Sequence, residues 1–125
     1  MLEGKITRLQ HIDGPQCLEI TNNDAEFCCG LLVKYKNIYK DTPNNLRRMM
    51  ASDSPEEAMR LAHTLKGASA NLCVFAVSRA AGSIEDAFRS GECQGINEKI
   101  GLLEDALQPA MMEIAQLEQT DKTGS

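Results

Sequence analysis

The spacing of apolar residues constrains the fold of this chain more than any other feature. They recur at three- and four-residue steps, which places them on one side of an α-helix, whereas a half-buried strand needs strict alternation. Four long segments have this helical spacing, residues 23–39, 55–72, 75–89 and 96–117. Because no segment alternates, and aromatic residues make up only 4% of the chain, we expect an all-α fold.

Capping residues mark where these helices begin. Ser54 precedes Pro55, which suits the first helical position, and Glu57 completes a capping box. Asn23, with Glu26 three residues later, has the same pattern. The sequence therefore predicts separate helices that are joined by short turns.

The remaining segments are shorter. Thr42 and Pro43 start a short helix, and residues 2–9 have helical spacing until the run 13–15, Asp-Gly-Pro, breaks it. Together these patterns predict an antiparallel up-down four-helix bundle with one or two short additional helices. We divide the chain into an N-terminal lead-in or linker at 1–21, the bundle at 22–118 and a frayed tail at 119–125.

Composition excludes several classes of function. Lys and Arg number 13 against 18 Asp and Glu, so the net charge is −5 and no basic run exists for nucleic acid. No apolar stretch approaches the roughly 18 residues of a membrane span, and the N-terminus lacks the apolar region of a secretory signal. We expect a monomer that contacts neither nucleic acid nor membrane.

Cysteines and histidines point to a reduced setting without a metal. The five cysteines are odd in number and irregularly spaced, which does not fit a disulfide framework or a zinc knuckle. The two histidines, His11 and His63, lie far apart in the sequence. We therefore expect a cytoplasmic protein with neither a metal site nor a cofactor of its own.

The segment 55–72 has an unusual outer face. At 100° per residue its apolar side chains form one stripe, and His63 lies about 160° from the centre of that stripe. The stripe contains Ala58, Leu61, Ala62, Leu65, Ser69 and Leu72. Met59, Lys66, Gly67 and Ala70 share the outer face with His63. A solvated face normally carries charged or amide side chains, so the small residues here are unexpected.

Gly67 is the most informative residue of this face. A glycine inside a helix costs about 1 kcal/mol relative to alanine, and an exposed one packs nothing in return. His63, Gly67 and Ala70 lie in one line, and Lys66 flanks it. Each residue alone fits an ordinary solvated surface or close helix packing. Together they predict a docking patch around a nucleophile, although they do not specify a reaction.

The run 62–72, Ala-His-Thr-Leu-Lys-Gly-Ala-Ser-Ala-Asn-Leu, resembles the signature of histidine phosphotransfer (HPt) domains. That family's pattern is His-x-Leu-Lys-Gly, then small residues, an apolar residue and usually Gly. Residues 27–39 look like the family's preceding helix, and Ile84-Glu85 looks like the Leu-Glu of the following one. The resemblance covers about residues 12–117. Cys73 is a departure, because the family usually has Gly there.

The resemblance implies a phosphorelay intermediate. His63 would accept a phosphoryl group on Nε2 from the aspartyl phosphate of a receiver domain and pass it to another receiver aspartate. Lys66 would offset phosphate charge, and Gly67 would let the receiver approach closely. Met59 and Ala70 would supply apolar contacts. The resemblance also implies that the receiver brings Mg²⁺, so we expect no ATP-dependent kinase activity from this domain alone.

Three other interpretations stay open. The same module also occurs as the C-terminal domain of hybrid sensor histidine kinases. A helical adaptor would bind partners without taking phosphate, so His63→Gln would leave its function intact. A cysteine-dependent enzyme is the least supported, because no cysteine lies beside an obvious base in the sequence.

Overall fold

The computed structural model describes residues 1–123, and that part of the chain is helical without strands, which confirms the all-α prediction. The first elements are α1 (Leu2–Thr7), α2 (Gly14–Ile20), α3 (Ala25–Tyr39) and α4 (Thr42–Ala51). They are followed by α5 (Pro55–Asn71), α6 (Phe75–Ser90) and α7 (Ile96–Thr123).

The long helices α3, α5, α6 and α7 form the predicted four-helix bundle. Helix α5 packs along α6, α6 along α7, and α7 along α3, while α4 fills the space against α5 and α7. Buried Leu, Ile, Ala and Val side chains from all four long helices make the core. Each fully buried Leu or Ile contributes about 1.5–3 kcal/mol of transfer free energy.

Four of the five cysteines belong to this core as small apolar side chains. Cys17, Cys28, Cys29 and Cys73 are buried, and Cys93 is exposed. The Sγ atoms of Cys17 and Cys28 lie 3.2 Å apart. The neighbouring Cys28 sulfur and burial raise the pKa of the Cys17 thiol above its usual value, whereas the hydrogen bond with Cys17 lowers the pKa of Cys28. The Cys17 thiol is therefore a poor nucleophile.

The N-terminal segment, expected to be a lead-in or linker with a possible short helix, packs onto the bundle. Ile6 of α1 and Leu18 of α2 are buried in the common core. The backbone amides of Gln10 and His11 both donate to the Glu113 carboxylate of α7 at 2.8 Å. These contacts hold the segment against the last helix.

The run 13–15 starts a helix, whereas the preceding helix α1 has already ended at Thr7. Asp13 accepts a hydrogen bond from the Gln16 amide and caps α2, and Pro15 suits its first turn. Gly14 is required here, because a Cβ atom would lie 1.8 Å from the carbonyl oxygen of Ile6. Helix α2 was not predicted, since Gly-Pro was interpreted only as a break.

Helix α3 also begins one residue later than predicted. Asp24 Oδ1 accepts from the Phe27 amide at 3.1 Å, so Asp24 is the cap. Asn22 and Asn23 have positive φ angles of 57° and 61°, which carry the chain out of α2. Asparagine tolerates this left-handed conformation better than most residues.

The turn between α5 and α6 sets the two helices that build the site. The amide of Val74 donates to the Ser69 carbonyl and that of Cys73 to the Ala70 carbonyl, which is a Schellman motif. This motif needs a left-handed residue, and Cys73 supplies it with φ 64°. The usual glycine of the resemblance is explained by this geometry.

Helix α7 is longer than the predicted segment 96–117. It continues through Thr123, so the expected frayed tail at 119–125 is helical as far as the structure describes it. Residues 124 and 125 lie outside the described residues. In the described part, every helix is too short or too polar to cross a membrane.

Candidate phosphoacceptor site on helix α5

His63 projects from the outer side of α5. Ala58, Ala62, Leu65 and Ser69 of this helix are buried, which leaves the opposite face to solvent. The His63 side chain is 67% exposed. A macromolecular partner can therefore reach the ring without any rearrangement of the bundle.

Glu85 of α6 orients this ring from behind. Its Oε2 atom lies 2.6 Å from His63 Nδ1, and its side chain is only 2% exposed. An ionised carboxylate can only accept hydrogen bonds, so Nδ1 carries the proton and donates it. In the neutral imidazole Nε2 then has the free lone pair. The exposed nitrogen is the nucleophilic one.

Two cations contact the buried Glu85 carboxylate. Lys66 Nζ lies 3.2 Å from Oε1, and an Arg89 guanidinium nitrogen lies 2.8 Å from Oε2. Burial raises the pKa of Glu85, but hydrogen bonds from Lys66 and His63 and the positive charges there outweigh it, and the pKa falls below its usual value. At neutral pH the site therefore contains a fixed negative charge behind the imidazole.

The predicted neighbours of His63 lie on the same face of α5. Lys66 is 44% exposed, so its ammonium group contacts both Glu85 and solvent. A Cβ atom at Gly67 would meet no atom within 4 Å, so the space above this residue is open. Met59 is half-buried and Ala70 is exposed. The face is thus low in relief next to the imidazole.

Behind the site, a polar pair joins α5 to α3. The Tyr35 hydroxyl and the Ser69 Oγ atom are 2.6 Å apart, and both residues are buried. Burial raises the pKa of Tyr35 to about 12, so its hydroxyl stays protonated. This hydrogen bond satisfies the hydroxyl group of Ser69, which is the polar residue of the predicted apolar stripe.

An apolar groove runs beside the site between α3 and α5. Ile20, Phe27 and Ile38 are 52%, 55% and 60% exposed, which is unusual for side chains of this size. Phe27 and Ile38 belong to the apolar repeat of the predicted segment 23–39, but only one side of that repeat reaches the core. The groove has a volume of about 430 Å³, and Asn71 and Leu72 line it from α5.

Sequence reasoning missed Glu85 and Arg89 as site residues. Glu85 entered only through the Ile84-Glu85 resemblance, yet it follows Ile84 at the edge of the buried face of α6. A carboxylate at such an edge, with Arg89 four residues later, was a signal that could have been used. The signal does not say which helix the carboxylate faces.

A helical bundle that presents one imidazole with a free Nε2 atom is typical of domains that carry a group on histidine. The family model of the Hpt domain matches residues 37–119 of this chain. The chain therefore belongs to the Hpt domain family, which confirms the resemblance seen in the sequence. Hpt domains transfer phosphoryl groups through histidine in phosphorelays and interact there with receiver domains. Comparisons with curated proteins and with solved structures gave no significant match.

Proposed function

We propose that this protein is a histidine phosphocarrier that accepts a phosphoryl group on His63 from a receiver aspartyl phosphate and passes it to another receiver aspartate. The observation that carries the proposal is the 2.6 Å contact between His63 Nδ1 and the buried Glu85 carboxylate. It leaves Nε2 of a 67% exposed ring free to attack.

The transfer step follows from this arrangement. The Nε2 lone pair attacks phosphorus, the N–P bond forms, and the bond between phosphorus and the aspartyl oxygen breaks to release a carboxylate. Nδ1 keeps its proton, so the imidazole becomes cationic. The Glu85 carboxylate lies where this positive charge develops and stabilises the transition state more than the ground state. The reverse step returns the group to a second aspartate.

The other residues of this face help the receiver to approach and offset the charge of the phosphoryl group. Lys66 offsets the charge of the phosphoryl oxygens as a point cation. Gly67 lets the rim of the receiver approach closely, and Met59 and Ala70 give it apolar contacts. We propose that the receiver supplies the Mg²⁺ ion and the acceptor aspartate, and that this domain holds no cofactor.

The apolar groove between α3 and α5 suits the receiver as a docking surface. Exposed Phe27 and Ile38 would be covered by a partner that also reaches His63. We propose that the chain acts as a monomer in the reduced cytoplasm, which agrees with its odd number of irregularly spaced cysteines. In a second form of the same proposal, the chain is the C-terminal domain of a larger hybrid sensor histidine kinase.

A labelling experiment tests the proposal against a helical adaptor. Receiver domains from the same source are phosphorylated with ³²P and mixed with the wild-type chain, with His63→Gln and with His11→Gln. The proposal predicts transfer to wild type and His11→Gln and none to His63→Gln, whose amide can still accept or donate at Glu85. Label on His63→Gln, or a chain that binds receivers without taking label, would refute it.

A further inference from the structure

Three residues of α6 lie in one line that faces Lys66. Ser78, Gly82 and Glu85 are spaced i, i+4 and i+7, which puts them on the same side of a helix. Ser78 and Glu85 hydrogen-bond the same lysine of α5, and Gly82 leaves space for the side chain of that lysine. The proposed function does not use Ser78 or Gly82.

The three positions lie along Lys66, from its backbone carbonyl to its ammonium group. Ser78 Oγ donates to the Lys66 carbonyl oxygen at 3.0 Å. A Cβ atom at Gly82 would lie 3.4 Å from Cδ of Lys66 and 3.9 Å from Cγ and Cε, so the aliphatic stem crosses α6 at this glycine. Glu85 Oε1 then accepts from Nζ at 3.2 Å.

The course of the Lys66 side chain across α6 matters because a lysine at a surface is otherwise poorly ordered. Its charge sits on a flexible four-carbon stem that samples many rotamers. The missing side chain of Gly82 leaves space for this stem across α6, and Glu85 contacts both the ammonium group and His63 Nδ1. A larger side chain at position 82 would occupy the space of the stem, whereas a methyl group would remain in ordinary van der Waals contact with it.

We propose that Gly82, supported by Ser78, is a positioning residue that directs the Lys66 ammonium to the phosphoryl group on His63. The inference deepens the proposed function, since it explains how one flexible cation is held at the phosphoacceptor. Gly82 acts through Lys66 and does not itself contact the reacting atoms.

Potassium phosphoramidate tests this inference without any receiver. The His63 Nε2 atom attacks phosphorus, the P–N bond of the reagent breaks, and ammonia leaves. All variants carry His11→Gln, so that phosphohistidine detected by ³¹P NMR arises from His63. The rate is compared for Gly82, Gly82→Ala and Gly82→Ile, each with Lys66 and with Lys66→Ala. Ile is chosen because its β-branch restricts its rotamers.

With Lys66 present, we expect Gly82→Ile to slow phosphorylation about fivefold, the scale of one unit-charge interaction near 4 Å in water. Gly82→Ala should keep the wild-type rate. With Lys66→Ala, all three residues at position 82 should give the same slow rate. That pattern would show that position 82 acts through the lysine.

Two results would overturn the inference. One is an equal slowing by Gly82→Ile in both backgrounds, which would mean that it disturbs His63 or the fold directly. The other is an unchanged rate for Gly82→Ile when Lys66 is present. If Gly82→Ile does not fold, as judged by its thermal melt, Ser78→Ala replaces it, and the same loss of effect in Lys66→Ala is required. The phosphoramidate rates could follow the expected pattern while phosphorylated receivers fail to label His63. That result would refute the proposed function and leave the positioning role of Gly82 standing.

Discussion

Glu85 makes His63 more than an exposed side chain. A surface imidazole without a partner rotates and exchanges tautomers, whereas this ring has Nδ1 fixed at 2.6 Å from a buried carboxylate. The negative charge is in place before the reaction, so no reorganisation is needed when the ring becomes cationic. At the residue scale, the site is a nucleophile with its proton and its counter-charge already arranged.

Replacing Glu85 by Gln should slow phosphoryl transfer to His63 about fivefold. A charged hydrogen bond contributes roughly 1 kcal/mol more than a neutral one, and the transition state uses that difference. Single-turnover transfer from a phosphorylated receiver measures the effect. Asp86→Asn, an exposed neighbour on α6, is the matched control and should keep the wild-type rate. Equal rates for wild type and Glu85→Gln would contradict the role given to the carboxylate.

The lowered pKa of Glu85 also predicts how stability depends on pH. A carboxyl group whose pKa is lower in the folded state stabilises the fold at pH values above its pKa in the unfolded state, which is 4.5. This contribution is lost as the pH falls through the folded-state pKa. Urea unfolding should therefore show a steeper loss of stability below about pH 4.5 in wild type than in Glu85→Gln. Parallel pH profiles for the two proteins would show that Glu85 titrates normally.

Gly67 is predicted to matter for docking and not for folding. Because a side chain at this position would enter open space, Gly67→Gln should raise the free energy of unfolding by up to about 1 kcal/mol through helix propensity. The same change should weaken receiver binding, measured by titration calorimetry. Gly101→Gln in α7, where the space is also open, is the control for propensity. Loss of stability together with binding would mean that Gly67 packs against the bundle.

At the scale of elements, the turn between α5 and α6 carries a local conflict. Cys73 occupies a left-handed position that suits glycine, but its side chain is buried in the core. Backbone strain of about 1 kcal/mol opposes the apolar contacts that a glycine would lose. The turn still forms, because the Schellman hydrogen bonds and the packing of both helices determine it.

Two substitutions separate strain from burial at this turn. Cys73→Ala removes the sulfur and keeps the strain, whereas Cys73→Gly removes both. We therefore expect Cys73→Gly to be more stable than Cys73→Ala by about 1 kcal/mol in denaturant unfolding. Glycine is ordinarily the less stable of the two inside an element, so Arg79→Gly against Arg79→Ala, at an exposed position within α6, supplies the opposite control. A less stable Cys73→Gly would mean that this turn stores no strain.

The two faces of α3 show where element-scale prediction stops. Its apolar repeat predicted one buried stripe, and Cys28, Leu32 and Tyr35 are buried as the spacing requires. Phe27 and Ile38 continue the same repeat, yet they remain exposed because none of the helices within residues 1–123 covers that side. Periodicity gives the direction of a side chain on its own helix, but not whether a neighbour lies there.

For the whole molecule, the sequence predicts best the buried face of a single long helix. The stripe of α5 is buried at Ala58, Ala62, Leu65 and Ser69, and His63 faces away from it. Contacts between helices were beyond reach, because they depend on how the bundle assembles. Glu85 reaches His63 from another helix, and the N-terminal segment reaches α7, without any short-range pattern that fixes either contact.

The most direct measurement is the chemical identity of the group formed on the chain by a phosphorylated receiver. Phosphohistidine is labile in acid and stable in alkali, and ³¹P NMR distinguishes phosphate on Nε2 from phosphate on Nδ1. We predict one phosphohistidine, on Nε2 of His63, that a second receiver removes. Phosphate on Nδ1, on His11 or on no residue of the chain would contradict the account.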